Sequence, residues 1–239
     1  MTNTITNQSG LRDEIRRAIP QAGTKELARR MFHDLYLAEK EKEAILSSLL
    51  GGHHLLLVGP PGCGKTTVAQ RITTILPDTE VVAGCPVHCS PQNPSCPWCS
   101  ELKARGGGLK SRILPGNLRV ARIQGSDGLN SSDLIGDLDL ELAFTHGIHS
   151  LQAFVPGKLL RANRGILLID FLDSIPERTL NTILYTLQGE PVSIGAFEET
   201  IPLDVLIVAT AREEALQSLP ADILDNFDVI PLGYLEKAS

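Results

Sequence analysis

The sequence predicts an α/β layer fold built on a mostly parallel sheet, and three observations predict it. Short, near-continuous apolar runs recur along the chain. Helix-period patterns lie between most of them, the alternation that builds βαβ units. The runs lack the in-and-out polarity of half-exposed strands, which suits strands covered on both faces.

The elements follow in order. Residues 1–24 are polar and are expected to form a flexible N-terminal segment. The opening, MTNTITNQSG, has neither the basic start nor the apolar stretch of a signal peptide. Residues 25–239 are expected to form one nucleotide-binding domain. Leu27, Met31 and Leu35 mark the apolar face of a first helix. Ile45, Leu46 and Leu49 mark a second, from about Ala38 to Leu50, stopped by Gly51 and Gly52. Leu55 to Val58 is the first strand, and a helix from Lys65 to Leu76 follows its loop. Further strands are read at Val120 to Ile123, Ile166 to Ile169, Val205 to Val208, and Val229 to Ile230. Leu180, Ile183, Leu184 and Leu187 give the helix Pro176 to Leu187 its buried stripe. Between them, residues 77–116 are rich in Pro, Gly, Ser and Cys and read as an irregular, Cys-rich insert.

Composition excludes several classes. The 239 residues are 42% apolar and 21% charged, which excludes disorder, collagen and coiled coil as whole-chain readings. No apolar run approaches the ~18 residues of a membrane span, and a cytoplasmic location is expected. With 28 acidic residues against 22 Lys and Arg, the net charge is −6. Bulk charge therefore argues against nucleic-acid binding. Lys103, Arg105, Lys110, Arg112, Arg119 and Arg122 form one local basic stretch, read as a solvated face or a site for an acidic partner surface or nucleic acid.

GPPGCGKT, Gly59 to Thr66, satisfies GxxxxGK[ST] between a strand and a helix, the context that motif needs. Glycines let consecutive amides face one oxyanion, and the helix adds its positive end. The expected nucleotide-binding residues are Gly59, Pro60, Pro61, Gly62, Cys63, Gly64, Lys65, Thr66 and Thr67. Lys65 is the point charge for the β- and γ-phosphates, and the Thr66 hydroxyl is a Mg²⁺ ligand. Asp170 ends the apolar strand of RGILLIDFLDSIPE and is the second Mg²⁺ candidate. Cys63 occupies a position the motif leaves free.

These residues, with RIQGSDGLNSSDLIGDLDLE (Arg122 to Glu141), FVPGKLLRANRGILLID (Phe154 to Asp170) and IPERTLNTILYTLQGEPVSI (Ile175 to Ile194), resemble the AAA+ ATPases of the MoxR and magnesium-chelatase ATPase-subunit group. The resemblance runs from about Leu35 to Leu232. It implies a three-layer αβα P-loop NTPase core with a five-stranded sheet. It also implies one inserted hairpin at Ile148 to Pro156 and another at Val192 to Ile201. Members of the group form rings and use ATP to remodel a partner, often a von Willebrand A-type protein, or to help insert metal into a porphyrin.

The sequence departs from that family at catalytic positions. The family's Asp-Glu pair is Asp170-Phe171 here, and Phe171 cannot orient water. Asp173, three residues on, is the carboxylate left for that task, so Lys65, Asp170 and Asp173 are the catalytic candidates. Arg212 stands near the family's sensor Asn. Asn226 stands where its arginine finger is expected. A positioned base is worth ~10²–10⁴-fold and an arginine finger ~10³–10⁵-fold, so weak or partner-dependent ATP hydrolysis is expected. The chain ends nine residues after Ile230, which leaves no room for the family's helical lid; a truncated sequence or a lid from another chain would account for that.

Cys85, Cys89, Cys96 and Cys99 have the spacing C-x3-C-x6-C-x2-C. Four thiolates suit a structural tetrahedral Zn²⁺, with His88 able to replace one of them. Free thiols, a redox or disulfide role, and a Cys₄ iron–sulfur cluster are the alternatives. Three functions compete: an AAA+ protein that couples ATP to remodelling or assembly of a partner, a non-hydrolysing regulatory subunit of a hetero-oligomer, and a zinc-bearing nucleic-acid adaptor.

Overall fold

The computed structural model describes residues 10–18, 23–106, 108–148, 150–194 and 199–234. Helices α1 (Leu11–Arg17), α2 (Thr24–Met31) and α3 (Glu39–Gly51) lead into strand β1 (His54–Val58). α4 (Lys65–Ile72) follows, then β2 (Thr79–Val82), α5 (Pro97–Ala104), β3 (Ser111–Leu114) and β4 (Val120–Gln124). Next come α6 (Ser131–Ile135), β5 (Gly136–Leu138), α7 (Leu140–His146), β6 (Phe154–Pro156), α8 (Lys158–Arg161) and β7 (Gly165–Asp170). The chain continues through α9 (Glu177–Leu187), β8 (Val192–Ile194), β9 (Glu199–Ile201), β10 (Val205–Ala211), α10 (Ala221–Leu224) and β11 (Phe227–Pro231).

Five strands form one parallel sheet in the order β11-β1-β10-β7-β4. Alternate residues of each strand feed opposite faces, as the two-residue period of a strand requires. Leu56, Val58, Leu167, Ile169, Ile207 and Ala209 enter one apolar cluster, with Leu180 and Ile183 of α9. Leu55, Leu57, Ile166, Leu168, Leu206 and Val208 enter the other, with Ile45 and Leu49 of α3 and Val68 and Ile72 of α4. The result is the three-layer α/β architecture the sequence predicts. All five expected core strands are present.

The local differences have physical causes. Part of the segment expected to be flexible is helix α1, because Leu11 and Ile15, one helical turn apart, are buried in the core. Glu14 on the same helix bridges Arg119 and Arg164, each at 2.5 Å. Residues 1–9 lie outside the described residues. The first apolar helix ends at Met31, so Leu35 lies in the turn beyond it. The helix after the phosphate-type loop is α-helical only to Ile72, and Thr73–Ile75 tighten into a 3₁₀ turn. The insert is not irregular throughout: β2 pairs antiparallel with β3, and α5 lies between them. Its cysteines and Trp98 join the sheet's own apolar cluster, which is why the segment holds a shape. The first inserted hairpin pairs β5 with β6, so its first strand is Gly136–Leu138 rather than a segment beginning at Ile148. The second pairs β8 with β9, within Val192 to Ile201 as expected.

Candidate functional site

β1 delivers the chain to the C-terminal edge of the sheet, where open α/β sheets place their ligand sites. Gly59 follows with φ 155°, and a Cβ there would lie 2.1 Å from the Leu232 carbonyl of the neighbouring strand end. Gly62 and Gly64 hold left-handed φ values of 81° and 92°, which a side chain resists. No protein atom lies near the Cβ position of either, so the loop opens outward there. α4 then starts at Lys65. The Lys65 ammonium is buried under the loop and donates to the carbonyls of Gly59 (2.7 Å) and Pro60 (2.8 Å). Cys63 Sγ lies 3.9 Å from it, and Thr67 is exposed. The Tyr234 hydroxyl donates to the Pro61 carbonyl.

Thr66 and Asp170 meet. The Thr66 hydroxyl donates to Asp170 Oδ1 at 2.9 Å, joining the loop to the end of β7 across β10. Thr210 of β10 also faces Asp170 Oδ1, at 3.4 Å. Asp170 Oδ2 takes a forked ion pair from Arg122 of β4, with Nε at 2.7 Å and the terminal nitrogen at 2.5 Å. Sequence reading missed this partner. The signal was an arginine near the end of the strand that neighbours β7.

After Asp170 the chain turns sharply. Phe171 adopts φ 56°, is 42% exposed, and donates its amide to Thr210 Oγ1. The turn closes with the Ser174 amide donating to the Phe171 carbonyl. It carries Asp173 back to the sheet edge, where Arg212 grips Oδ2 at 2.8 Å and 2.7 Å. Arg212 and Asp173, read separately in sequence, are therefore one pair. Asn226 is away from this cluster among the described contacts, donating to the Asp222 carbonyl at 2.7 Å.

The four cysteines converge. Their sulfurs lie within 4.8 Å of one another and all four residues are buried. Cys85 and Cys96 Sγ are 3.5 Å apart. Zn–S bonds of about 2.3 Å in a tetrahedron place sulfurs about 3.8 Å apart, so the cluster fits such an ion. The Cys89 amide faces Cys85 Sγ at 3.5 Å, and the Cys99 amide faces Cys96 Sγ at 3.4 Å. Backbone amides aimed at sulfur favour thiolate. Thiol donation from Cys85 holds Cys89 far below the usual thiol range, while hydrogen bonding to Cys85 pushes Cys96 and Cys99 far above it. A dication among the four sulfurs would let all of them bind as thiolates. His88 is not in the cluster, although its Nδ1 is buried without a hydrogen-bond partner among the described residues. Trp98, beside Cys99, donates its indole N–H to the Leu151 carbonyl at 3.1 Å and packs on Phe154. That contact braces the cysteine knuckle against the inserted hairpin.

The histidines near β1 and the basic stretch are accounted for by structural contacts. His53 and His54 sit at the far end of β1 from Gly59, where His53 meets Asp228 and His54 Nδ1 accepts from the Ile207 amide at 3.0 Å. The basic stretch is not one patch, because Arg119 is fully buried on Glu14 and Arg122 is tied to Asp170. His146 is exposed on α7, and His149 lies outside the described residues. No helix among the described residues is long and apolar enough to cross a membrane.

Comparison with known proteins agrees with this geometry. Residues 31–85 match the family described as magnesium chelatase, subunit ChlI. A magnesium-chelatase subunit ChlI homolog of Methanocaldococcus jannaschii is 33% identical over 205 residues, 80% of this chain and 51% of that protein. The magnesium-chelatase 38 kDa subunit of Acidiphilium rubrum is 34% identical over 143 residues, 59% of this chain and 39% of its own length. The chain thus spans about half or less of the length of these relatives. A structure of the complex between subunits BchI and BchD of magnesium chelatase superposes with a TM-score of 0.59 at 26% identity, covering 83% of this chain and 60% of that one. Sheet order, loop sequence and relatives converge on one likeness: in sequence and fold the chain is similar to the magnesium-chelatase ATPase-subunit group of AAA+ proteins.

Proposed function

We propose that the chain is an ATP-binding AAA+ subunit with slow or partner-dependent hydrolysis, which couples nucleotide to the assembly or remodelling of a partner protein. The Thr66–Asp170 hydrogen bond carries this reading, because it sets a hydroxyl and a carboxylate side by side next to the Lys65 loop. In this reading the loop from Gly59 to Thr67 takes the phosphates. Pro60 and Pro61 lack amide protons, so the amide donors come from Gly62 onward. Lys65 exchanges the Gly59 and Pro60 carbonyls for phosphate oxygens. Thr66 and Asp170 would hold Mg²⁺, which when bound neutralises phosphate charge. Phe171 has no group to orient water, and Asn226 offers no guanidinium to a neighbouring site, so turnover by the isolated chain is slow. The same two residues favour the second reading, a non-hydrolysing regulatory subunit.

The four cysteines would hold a structural Zn²⁺, for which a reducing compartment such as the cytoplasm keeps the thiols available. A homo- or hetero-oligomeric ring and a von Willebrand A-type partner extend the proposal, supported by the likeness to a BchI–BchD complex. The broken basic stretch withdraws support from a nucleic-acid adaptor. ATP binding and turnover measured on one sample, alone and with candidate partners, test the reading. Saturable binding with turnover below ~1 s⁻¹ for the isolated chain is expected. Faster turnover overturns the slow-hydrolysis part, and absent binding overturns the whole.

A further inference from the structure

We propose that Arg122 frees nucleotide binding at the loop from most of its need for Mg²⁺, by holding Asp170 with a guanidinium where a divalent cation would otherwise be the countercharge. The inference rests on the nucleotide reading above and goes beyond it by fixing the metal requirement of that site.

Strand register places the arginine. β4 runs parallel to β7, with Arg122 opposite Leu168 and Gln124 opposite Asp170. Residues two apart on a strand share a face, so Arg122 stands on the same face of the sheet as Asp170. That is the face α4 covers, because Val120 and Leu168 pack into the cluster that holds Val68 and Ile72. β4 is the edge strand of the sheet, which leaves the arginine stem half in solvent. Arg122 thus reaches the end of β7 from the strand beside it, on the side of the helix that follows the loop.

Both oxygens of Asp170 are engaged. Oδ1 accepts from the Thr66 hydroxyl, and Oδ2 takes Nε and a terminal nitrogen of Arg122 at 2.7 Å and 2.5 Å. One carboxylate group therefore separates the guanidinium from the loop's hydroxyl. The Asp170 side chain is 6% exposed. A carboxylate that buried needs a countercharge. Lys65 is held by the Gly59 and Pro60 carbonyls and Arg212 by Asp173, so Arg122 supplies it.

A guanidinium in this place acts in two ways. It repels a dication from the carboxylate it occupies. Mg²⁺ gives up its water shell reluctantly and leans on one or two carboxylates, so a carboxylate already neutralised holds it less well. The guanidinium is also a fixed positive charge beside the loop, protonated at every physiological pH. Thr66 and Asp170 can still take Mg²⁺, but the ion adds little to nucleotide affinity.

Titration of the full chain with a fluorescent ATP analogue, with Mg²⁺ added or omitted, tests this. No chelator is used, so a metal held by the cysteines stays in place. Omitting Mg²⁺ should weaken binding to the wild type by less than about threefold. Arg122→Gln removes the countercharge, and the same omission should then weaken binding about tenfold or more. Arg122→Lys keeps the charge and should respond as the wild type does. An arginine with a structural role alone would lower affinity equally with and without Mg²⁺. Should Arg122→Gln fail to fold, the wild type and Arg122→Lys decide. A wild type that loses tenfold or more without Mg²⁺, or an Arg122→Gln variant with the wild-type Mg²⁺ response, overturns the inference and spares the nucleotide reading. A wild type that binds the analogue under neither condition overturns both.

Discussion

The phosphate-loop edge draws its groups from four strand ends. Thr66 lies beyond β1, Arg122 on β4, Asp170 at the end of β7 and Arg212 after β10. The cysteine knuckle draws all four sulfurs from one continuous segment, Cys85 to Cys99. The edge exists because the sheet aligns those strands; its residues need no ligand to stay in place. The knuckle is held by the donors it gathers, and its sulfurs replace part of the apolar packing of the layer they enter. Damage at the edge should therefore cost binding and leave the fold intact, whereas damage at the knuckle should cost the fold.

The largest effect is expected at the knuckle. Cys96→Ser removes one of four sulfurs from a site whose zinc-finger counterparts bind with ~10–16 kcal/mol. Metal content should fall from about one equivalent to near zero, and denaturant unfolding should show a loss of ~5 kcal/mol or more. A wild-type chain with no metal and an unchanged variant would dissolve the contrast.

Next comes the frame that both regions share. Glu14→Ala leaves Arg119, fully buried, without the carboxylate that neutralises it. A broken buried pair costs ~3–5 kcal/mol. Denaturation should show that loss with zinc content unchanged.

A pH effect of moderate size follows from His54. Burial, and donation of the Ile207 amide to Nδ1, keep this ring neutral and lower it from 6.5 to about 4. Above pH 6.5 the ring is neutral in folded and unfolded chains alike. As pH falls from 6.5 toward about 4, the unfolded chain takes up a proton that the folded chain refuses, and stability drops by up to ~3 kcal/mol. His54→Asn keeps an acceptor near Nδ1 and should flatten that part of the pH curve.

The smallest effect tests how far the knuckle reaches. Trp98→Phe keeps the ring contact with Phe154 and removes the hydrogen bond to Leu151. A loss of ~1 kcal/mol is expected, with faster proteolysis confined to the hairpin of β5 and β6. Uniform loosening of the whole chain would show that the brace is not local.

The same contrast explains what the sequence made legible. β1, β7 and β10 each carry a near-continuous apolar run and sit mid-sheet, so those runs marked them. The loop and Asp170 were marked by a motif whose spacing is dictated by phosphate geometry. The cysteines were marked because their spacing is local. Long-range pairings were not legible. Arg122 and Asp170 are 48 residues apart, and Arg212 and Asp173 are 39 apart, so only the sheet order brings them together. α1 was passed over because only Leu11 and Ile15 mark it within a polar stretch, although their four-residue spacing and the Asp13 and Glu14 of the first turn carried the signal. β2 and β3 were hidden by the cysteine segment between them.

The central claim is that the edge is a nucleotide site carried by an intact sheet. ATP binding in the presence of Mg²⁺, compared between the wild-type chain and Lys65→Ala, tests it most directly. Saturable binding by the wild type is predicted. The variant should bind ~30–100-fold more weakly, as expected for losing a charged donor, with unfolding free energy and metal content unchanged. Equal ATP affinity in the two proteins would contradict the account.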